Sequence, residues 1–250
     1  MSYVSRKNWK NKTSGFRYTE KNNNMIRGII FFLLMLFIVY ELVTSIFIIS
    51  YKVESISMEP TIPSGAVILA APIIYGPEIP LASLRIPGLR KPVRGDLVIS
   101  HPAYHQDLPW YRNLLESIAG FFTFQRKGRG ESSWGRSSSV KRIVGVPGDT
   151  IKIENNEILI KPEGKNYFFS EKEIIQVEYS TVSFERPELL SDEFPFSGNM
   201  REVKLEAGEY FLSGDNRSMS NDSYYWGAVT IENIKAKVIL EYAPEIKLLQ

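Results

Sequence analysis

The chain has no cysteine and only two histidines in 250 residues. Without a thiol, a cysteine protease and a zinc site built on cysteine ligands are excluded. A Ser-His-Asp triad has little support, because no Gly-x-Ser-x-Gly elbow occurs and both histidines lie in the short segment 101–105. The same two histidines could bind a metal, although Pro102 opposes the helix that would align them. We therefore expect no metal and no cofactor.

The chain also has almost no net charge. Lys and Arg number 30 against 28 Asp and Glu, so the composition gives no reason to expect a nucleic-acid partner. A basic, serine-rich run, QRKGRGESSWGRSSS, occupies residues 125–139. We interpret it as a solvated loop, with contact to anionic lipid headgroups and contact to nucleic acid as lesser alternatives.

One long apolar run follows a basic leader. Residues 28–50 read GIIFFLLMLFIVYELVTSIFIIS, long enough as a helix to cross the roughly 30 Å hydrocarbon core of a bilayer. A buried core helix is one alternative, but only Glu41 and a few hydroxyls interrupt the run. A cleaved signal peptide is another, but no Ala-x-Ala-like site follows Ser50. We predict a retained transmembrane helix over residues 26–50.

The distribution of charge around this run predicts its orientation. Basic residues crowd the first 27 positions, with Glu20 as the one acidic residue among them. The positive-inside rule then assigns residues 1–25 to the cytoplasm and residues 51–250 to an extracytoplasmic domain.

The exported part is predicted to be mostly β, an antiparallel sheet domain, because short β-rich segments alternate with Gly and Pro. One short helix is possible near Leu114–Phe122, and two stretches resemble insertions, at about 101–139 and 155–206. The candidate strands are Ala66–Ala70, Asp96–Ser100, Val140–Val144, Thr150–Ile153, Glu157–Ile160, Tyr210–Ser213 and Ala236–Tyr242.

An apolar segment broken by prolines, residues 70–89, cannot form a transmembrane helix. As an exposed loop it could enter the bilayer interface, and simple packing into the core is the alternative.

A hydrolase with this residue inventory needs a serine activated by something other than histidine. A lysine can act as the base if burial lowers its pKa from the usual value of about 10.4. Lys141 is a candidate, because strand alternation puts it on one face with Ile143 and puts Arg142 on the opposite face. Edge strands also carry lysine as a guard against aggregation, so spacing alone leaves that alternative open.

Four segments, in order, resemble the ordered boxes of the type I signal peptidases. They are SMEPT at residues 57–61, RGDLV at 94–98, KRIVGVPGD at 141–149, and GDNR at 214–217 with SNDS at 220–223. The resemblance covers about residues 27–75, 90–100, 140–160 and 205–240, and it leaves most of the two insertions without a counterpart.

The resemblance implies a role for each matching residue. Ser57 would be the nucleophile and Lys141 the neutral general base, with Ser220 orienting that lysine. The backbone N–H of Ser57 and the hydroxyl of Ser55 would form the oxyanion hole. Asp215 would support the site through hydrogen bonds and ion pairing.

Asp222 matches a second supporting acid, but the surroundings depart from the family pattern. Many bacterial members have arginine two residues after this aspartate, where this chain has Tyr224. The residues after Arg217 are Ser218-Met219 where Asp-Asn is frequent, and Ile56 stands where glycine is common.

The resemblance implies a membrane-bound serine endopeptidase that removes N-terminal signal peptides from exported preproteins after small residues, as in Ala-x-Ala sites. Its partners would be secretory preproteins, the lipid bilayer and the protein export machinery, and its location the bacterial cytoplasmic membrane. Two alternatives stay open: a dedicated processing peptidase of similar fold, and a catalytically inert scaffold. A self-cleaving repressor would need a DNA-binding domain where the apolar run lies.

Overall fold

The computed structural model describes residues 13–79, 84–105, 138–183 and 198–249, with the single positions 115, 118 and 121. It divides into two compact units, Met1–Leu42 and Val43–Gln250. Most of the first predicted insertion lies outside the described residues. The predicted helix near Leu114–Phe122 also lies there, apart from Leu115, Ile118 and Phe121, which are helical.

Helix α1 runs from Thr13 to Ile46, so that most of it belongs to the first unit and its last four residues to the second. Its part Asn23–Ile46 has the length and apolar composition needed to cross a membrane. Large side chains such as Phe31 and Phe32 are more than half exposed, as expected for a surface that meets lipid. The helix ends at Ile46, four residues before the end of the predicted span 26–50, because the chain enters a strand at Ile49.

The second unit is built mainly from short strands. Those found among the described residues are β1 (Ile49–Lys52), β2 (Val67–Ala71), β3 (Glu78–Ile79), β4 (Leu84–Arg85), β5 (Leu97–Ser100), β6 (Ser139–Gly145), β7 (Thr150–Glu154), β8 (Glu157–Lys161), β9 (Phe169–Ser170), β10 (Met200–Lys204), β11 (Glu209–Ser213), β12 (Val229–Thr230), β13 (Ile234–Ala243) and β14 (Lys247–Leu248).

The main sheet has the order β1-β2-β13-β5-β6-β11-β12, with β14 paired to β13. A second sheet has the order β10-β7-β8-β9, and β3 pairs with β4. Every one of these strand pairings is antiparallel. The prediction of a mostly β, antiparallel fold is therefore confirmed. The described residues also include two short α-helices, α2 (Glu171–Ile174) and α3 (Ser223–Trp226).

All seven predicted strands correspond to observed ones, with ends shifted by at most two residues. The strands missing from the prediction are short, from two to five residues. The start of β1 is not separable from the apolar run in the sequence, because Ile49 continues that run without a break in hydropathy. β10 was missed because most of its side chains are exposed, so its sequence carries little apolar alternation.

Among the described residues, the core contains three apolar clusters on the sheets. The first includes Met58 and Ile62, both fully buried, which anchor the segment that follows β1. Strand β6 lies between β5 and β11, and its residues from Val140 to Gly145 are all buried. This central strand holds the segment after β1 and the turn after β11 close together.

Candidate active site

Ser57 lies in a 3-10 turn, Ile56–Met58, and is 2% exposed. Asn216, which lies outside this turn in sequence, makes two hydrogen bonds to its backbone. Its N–H donates to the carbonyl oxygen of Ser57 at 3.0 Å, and its side-chain amide donates to the carbonyl oxygen of Ile56 at 3.3 Å. The hydroxyl of Ser57 is therefore carried on a segment fixed by Met58 in the core and by the turn after β11.

Lys141 projects from β6 toward this hydroxyl. Its Nζ lies 2.8 Å from Ser57 Oγ and 3.0 Å from Ser220 Oγ, and the residue is 2% exposed. The structure thus brings together a serine and a lysine that are 84 positions apart in sequence. When the amine is charged it donates to both hydroxyls; when it is neutral its lone pair can accept the proton of one of them.

Burial controls the charge of this amine. It lowers the pKa of Lys141 from 10.5 to about 8, and the carboxylates of Asp222 and Asp215 oppose part of that decrease. A substantial fraction of the amine is therefore neutral in mildly alkaline solution, which a lysine exposed to solvent would not be.

Ser220 follows a 3-10 turn, Arg217–Met219, that continues from β11. At the start of this connection Gly214 packs directly against the two serines. A Cβ at Gly214 would lie 2.5 Å from the carbonyl oxygen of Ser57 and 2.6 Å from Cβ of Ser220. The absence of a side chain at this position lets the two segments approach.

We expect Gly214→Ala to separate Ser57 from Ser220 and to lower kcat by about 10² or more, since misplacement by about 1 Å carries such a cost. Steady-state kinetics on a cleavable peptide would measure the loss. Gly164→Ala is the matched control, because a Cβ there meets open space, although its positive φ still imposes some strain. Full activity of Gly214→Ala would show that the close approach is not needed.

Asp215 makes a buried ion pair with Arg142. Two guanidinium nitrogens of Arg142 donate to its carboxylate at 2.8 and 2.7 Å, and the hydroxyl of Thr61 donates to the same carboxylate. The remaining guanidinium nitrogen donates to the carbonyl oxygen of Gly95 at 2.9 Å. The ring of Tyr179 lies under the guanidinium, 3.9 Å from its carbon.

Lys141 and Arg142 are adjacent on β6, and neither side chain faces solvent. Both are among the most buried side chains, Arg142 at 1% exposed. Alternation puts them on opposite faces of β6, but both faces of this central strand are covered. Each side chain therefore finds polar partners inside the protein.

Asp222 is held by hydroxyl and backbone donors. It accepts from the N–H of Gly214 at 2.9 Å, from the hydroxyl of Ser213 at 3.2 Å and from the N–H of Tyr224 at 3.1 Å. It thereby caps helix α3. Tyr224 thus contributes its backbone N–H to this carboxylate. Its hydroxyl donates to the carbonyl oxygen of Asn199 at 3.4 Å.

Ser55 caps the turn that carries Ser57. Its Oγ accepts the backbone N–H of Ser57 at 3.1 Å. The two groups expected to form an oxyanion hole are thus hydrogen-bonded to each other. Both can donate to one developing oxyanion only after the Ser57 N–H leaves the oxygen of Ser55.

The two histidines, His101 and His105, form a stacked pair. The rings of His101 and His105 lie 3.8 Å apart and nearly parallel, and Nδ1 of His101 is 3.2 Å from the hydroxyl of Ser138. Burial and the neighbouring His105 lower the pKa of His101 to about 3, so it is neutral at ordinary pH.

Three contributions to the site were missed from the sequence. Arg142 could have been identified because Asp215 was expected to make an ion pair and Arg142 is the cation next to Lys141 in sequence. Thr61 belongs to a quoted motif but gave no separate signal. Tyr179 comes from the second insertion, where nothing in the sequence pointed to the site.

Comparison with known proteins places the chain in a family. The family model described as "Signal peptidase, peptidase S26" matches residues 25–243. The fold is that of an antiparallel β domain preceded by an apolar helix. The chain belongs to the signal peptidase family, peptidase S26, which confirms the resemblance carried by the four motifs.

Individual relatives agree with this assignment. Signal peptidase I of Pseudomonas aeruginosa is 27% identical over 203 residues, which cover 77% of this chain and 60% of the relative. Signal peptidase I of Pseudomonas fluorescens is 27% identical over 236 residues, 86% of this chain and 72% of the relative. This chain therefore spans less than two thirds of the length of the first of these proteins. A solved signal peptidase I from Enterococcus faecalis is 19% identical, covers 60% of this chain and 98% of its own, and has a TM-score of 0.32.

Proposed function

We propose that this chain is a membrane-anchored serine endopeptidase that removes signal peptides from exported proteins, with Ser57 as nucleophile and Lys141 as general base. The observation that carries the proposal is the 2.8 Å separation of Lys141 Nζ and Ser57 Oγ in a buried site. Membership of the signal peptidase family supports the same substrate class.

The reaction begins with the neutral amine of Lys141. It takes the proton of Ser57 as Oγ attacks the scissile carbonyl, and then returns that proton to the departing amine. The resulting acyl-enzyme is hydrolysed by water that the same amine deprotonates. Ser220, at 3.0 Å from Nζ, holds the lysine in line with the nucleophile through both steps.

The tetrahedral intermediate needs donors for its oxyanion. In the proposal these are the N–H of Ser57 and the hydroxyl of Ser55, after their mutual hydrogen bond opens. Such a pair is valuable because it stabilises charge that develops only in the transition state, and loss of one donor typically costs about 10²–10³ in kcat. Asp215 and Asp222 act by holding the surrounding backbone and side chains.

Helix α1 supplies the membrane anchor in this proposal. Its basic flank favours a cytoplasmic N-terminus and an extracytoplasmic second unit, at the bacterial cytoplasmic membrane. Ser57 follows the end of α1 at Ile46 by a connection that reaches at most about 40 Å when extended. Substrates still held in the bilayer by an apolar segment, together with the export machinery that delivers them, would lie within this reach.

The activity should rise with pH because the reactive form of Lys141 is the neutral one. With a pKa of about 8, kcat/KM is expected to increase about tenfold per pH unit below that value and to level off above it. The measurement is a pH series on a short peptide with an Ala-x-Ala site. A midpoint near the ordinary lysine pKa of about 10.4 would contradict a buried, desolvated base.

The function itself is tested with protein in detergent and a secretory preprotein that carries an Ala-x-Ala site. Mass spectrometry would locate the cut for the wild type, Ser57→Ala and Lys141→Ala. Ser64→Ala is the control, since that hydroxyl is exposed and donates to the carbonyl oxygen of Glu54. We expect cleavage after the second alanine, lost in both site variants. Folded but inert wild type would instead favour a scaffold, and cleavage equally fast after large residues would contradict the predicted specificity.

A further inference from the structure

A segment of the second insertion lies against the turn that follows β11. We call residues 171–183 the strap. The N–H of Val182 donates to the carbonyl oxygen of Asp215 at 3.0 Å, and the N–H of Arg217 donates to the carbonyl oxygen of Val182 at 2.8 Å. These two bonds pair the strap with the turn in the manner of a short parallel strand.

A buried ion pair joins the start of the strap to the same turn. The guanidinium of Arg217 lies 2.6 Å from the carboxylate of Glu171, and the two side chains are only 7% and 4% exposed. A second nitrogen of Arg217 donates to the carbonyl oxygen of Gly214 at 3.1 Å. Because both charges are out of water, neither can lose its partner without leaving an uncompensated buried charge.

The other side of the turn holds the reactive groups. The N–H of Asn216 donates to the carbonyl oxygen of Ser57 at 3.0 Å, and Ser220 lies 3.0 Å from Nζ of Lys141. The turn is thus packed between the strap and the nucleophile segment. A shift of Arg217 would move Asn216 and, three residues on, Ser220.

We propose that Glu171 is a positioning residue for the reaction: through Arg217 it holds the turn that keeps Ser57 and Ser220 against Lys141. This inference rests on the proposed function for its kinetic consequence. Its structural consequence, a dry and closely packed environment around the amine of Lys141, can be measured without turnover.

The strap therefore contributes polar and aromatic contacts to the site rather than apolar packing alone. It contributes a charged clamp and one aromatic ring, that of Tyr179 on the guanidinium of Arg142, to elements next to Lys141. Loss of the ion pair between Glu171 and Arg217 should admit water beside the amine of Lys141. Because burial is the largest cause of the lowered Lys141 pKa, with Asp222 and Asp215 as the charged groups that oppose it, that pKa should then rise.

The test uses the full chain in detergent and the variants Glu171→Gln and Glu171→Asp. The control is Glu173→Gln, on the same short helix, because Glu173 bonds to the backbone N–H of Ser170 and is exposed. We expect Glu171→Gln to lower kcat about tenfold with KM changed by less than about twofold, since the nucleophile and its base are displaced only partially. Glu171→Asp should recover part of the loss, and Glu173→Gln should behave as the wild type.

The pKa of Lys141 gives the decisive readout. It is followed by NMR titration of protein carrying ¹³Cε-lysine, with Lys141→Met to assign the signal. We expect a higher pKa in Glu171→Gln than in the wild type and in Glu173→Gln. A lower melting temperature with an unchanged Lys141 pKa would overturn the inference and leave Glu171 a purely structural residue. Wild-type protein that cuts no preprotein would overturn the proposed function, while the titration would still decide the role of Glu171.

Discussion

Replacing Lys141 by methionine is expected to lower kcat/KM for signal-peptide cleavage by at least about 10²–10⁴, the usual contribution of a positioned general base. Methionine keeps the apolar stem and removes the amine that lies 2.8 Å from Ser57 Oγ. The groups that hold Ser57, including Asn216, are not changed. The measurement is cleavage of the Ala-x-Ala peptide at equal concentrations of folded protein.

The same substitution is expected to make the protein more stable. The folded-state pKa of Lys141, about 8, is below the value of 10.5 for an exposed lysine. The unfolded chain therefore binds this proton more tightly, and the folded state is penalised by an amount on the order of 3 kcal/mol below about pH 8. The penalty shrinks as pH rises from about 8 and is gone above about pH 10.5.

Denaturant unfolding of the wild type and Lys141→Met at about pH 7 and about pH 10 would measure this difference. Lys152→Met is the matched control, since Lys152 is paired on the surface with Glu154, where such a pair contributes little. A variant less stable than the wild type at both pH values would contradict a desolvated lysine. Activity within about tenfold of the wild type would remove Lys141 from the role of base.

The elements that carry the fold were predictable because their side chains alternate clearly. β7 and β8, for example, have buried residues at every second position, which gives a strand period of two. β12 and β14 have two residues each, too few to show a period. Their positions depend on the longer strands beside them, β11 and β13.

The candidate site was predictable where residues stand in recognisable motifs. Ser57, Lys141 and Ser220 were chosen from those motifs, and the fold brings the three side chains together; their roles stay predictions. Alternation alone does not give the environment of Arg142, because a period tells which residues share a face and does not tell whether the other face is covered. That depends on strand order, which places β6 between β5 and β11.

The strap could not be predicted from the sequence for a related reason. Glu171 is one of many acidic residues in a charge-mixed stretch, and its partner Arg217 is 46 positions away. Nothing local distinguishes it from Glu173, which stays at the surface. The difference arises when the second sheet packs the start of the strap beside the turn after β11.

Replacing Asp215 by asparagine is expected to destabilise the protein by about 3–5 kcal/mol, because it leaves the guanidinium of Arg142 buried without a counter-charge. The two side chains are 0% and 1% exposed, so water cannot take the place of the carboxylate. Asparagine keeps the size of the side chain and still offers an acceptor to the hydroxyl of Thr61. The loss should therefore come mainly from the charge.

A double variant tests that explanation. Arg142→Met combined with Asp215→Leu removes both charges, and replacing both partners of a buried pair by apolar residues costs much less than removing one. We expect its free energy of unfolding to lie well above that of Asp215→Asn, although the carbonyl oxygen of Gly95 loses its donor. The exposed change Glu154→Gln should alter stability by less than about 0.5 kcal/mol. Equal losses in the single and double variants would show that the packing around Asp215, rather than its charge, stabilises the fold.

The charge of Asp215 also acts on the pKa of Lys141. Removing this charge is expected to shift that pKa in the direction opposite to the shift expected for Glu171→Gln. Asp215 raises the pKa of Lys141, so Asp215→Asn should lower that pKa and move the acid limb of the kcat/KM profile to lower pH. Glu171→Gln should move it to higher pH by admitting water. A pH series on both variants therefore separates the two causes that set the charge of this amine, the field of its neighbours and its exclusion from solvent.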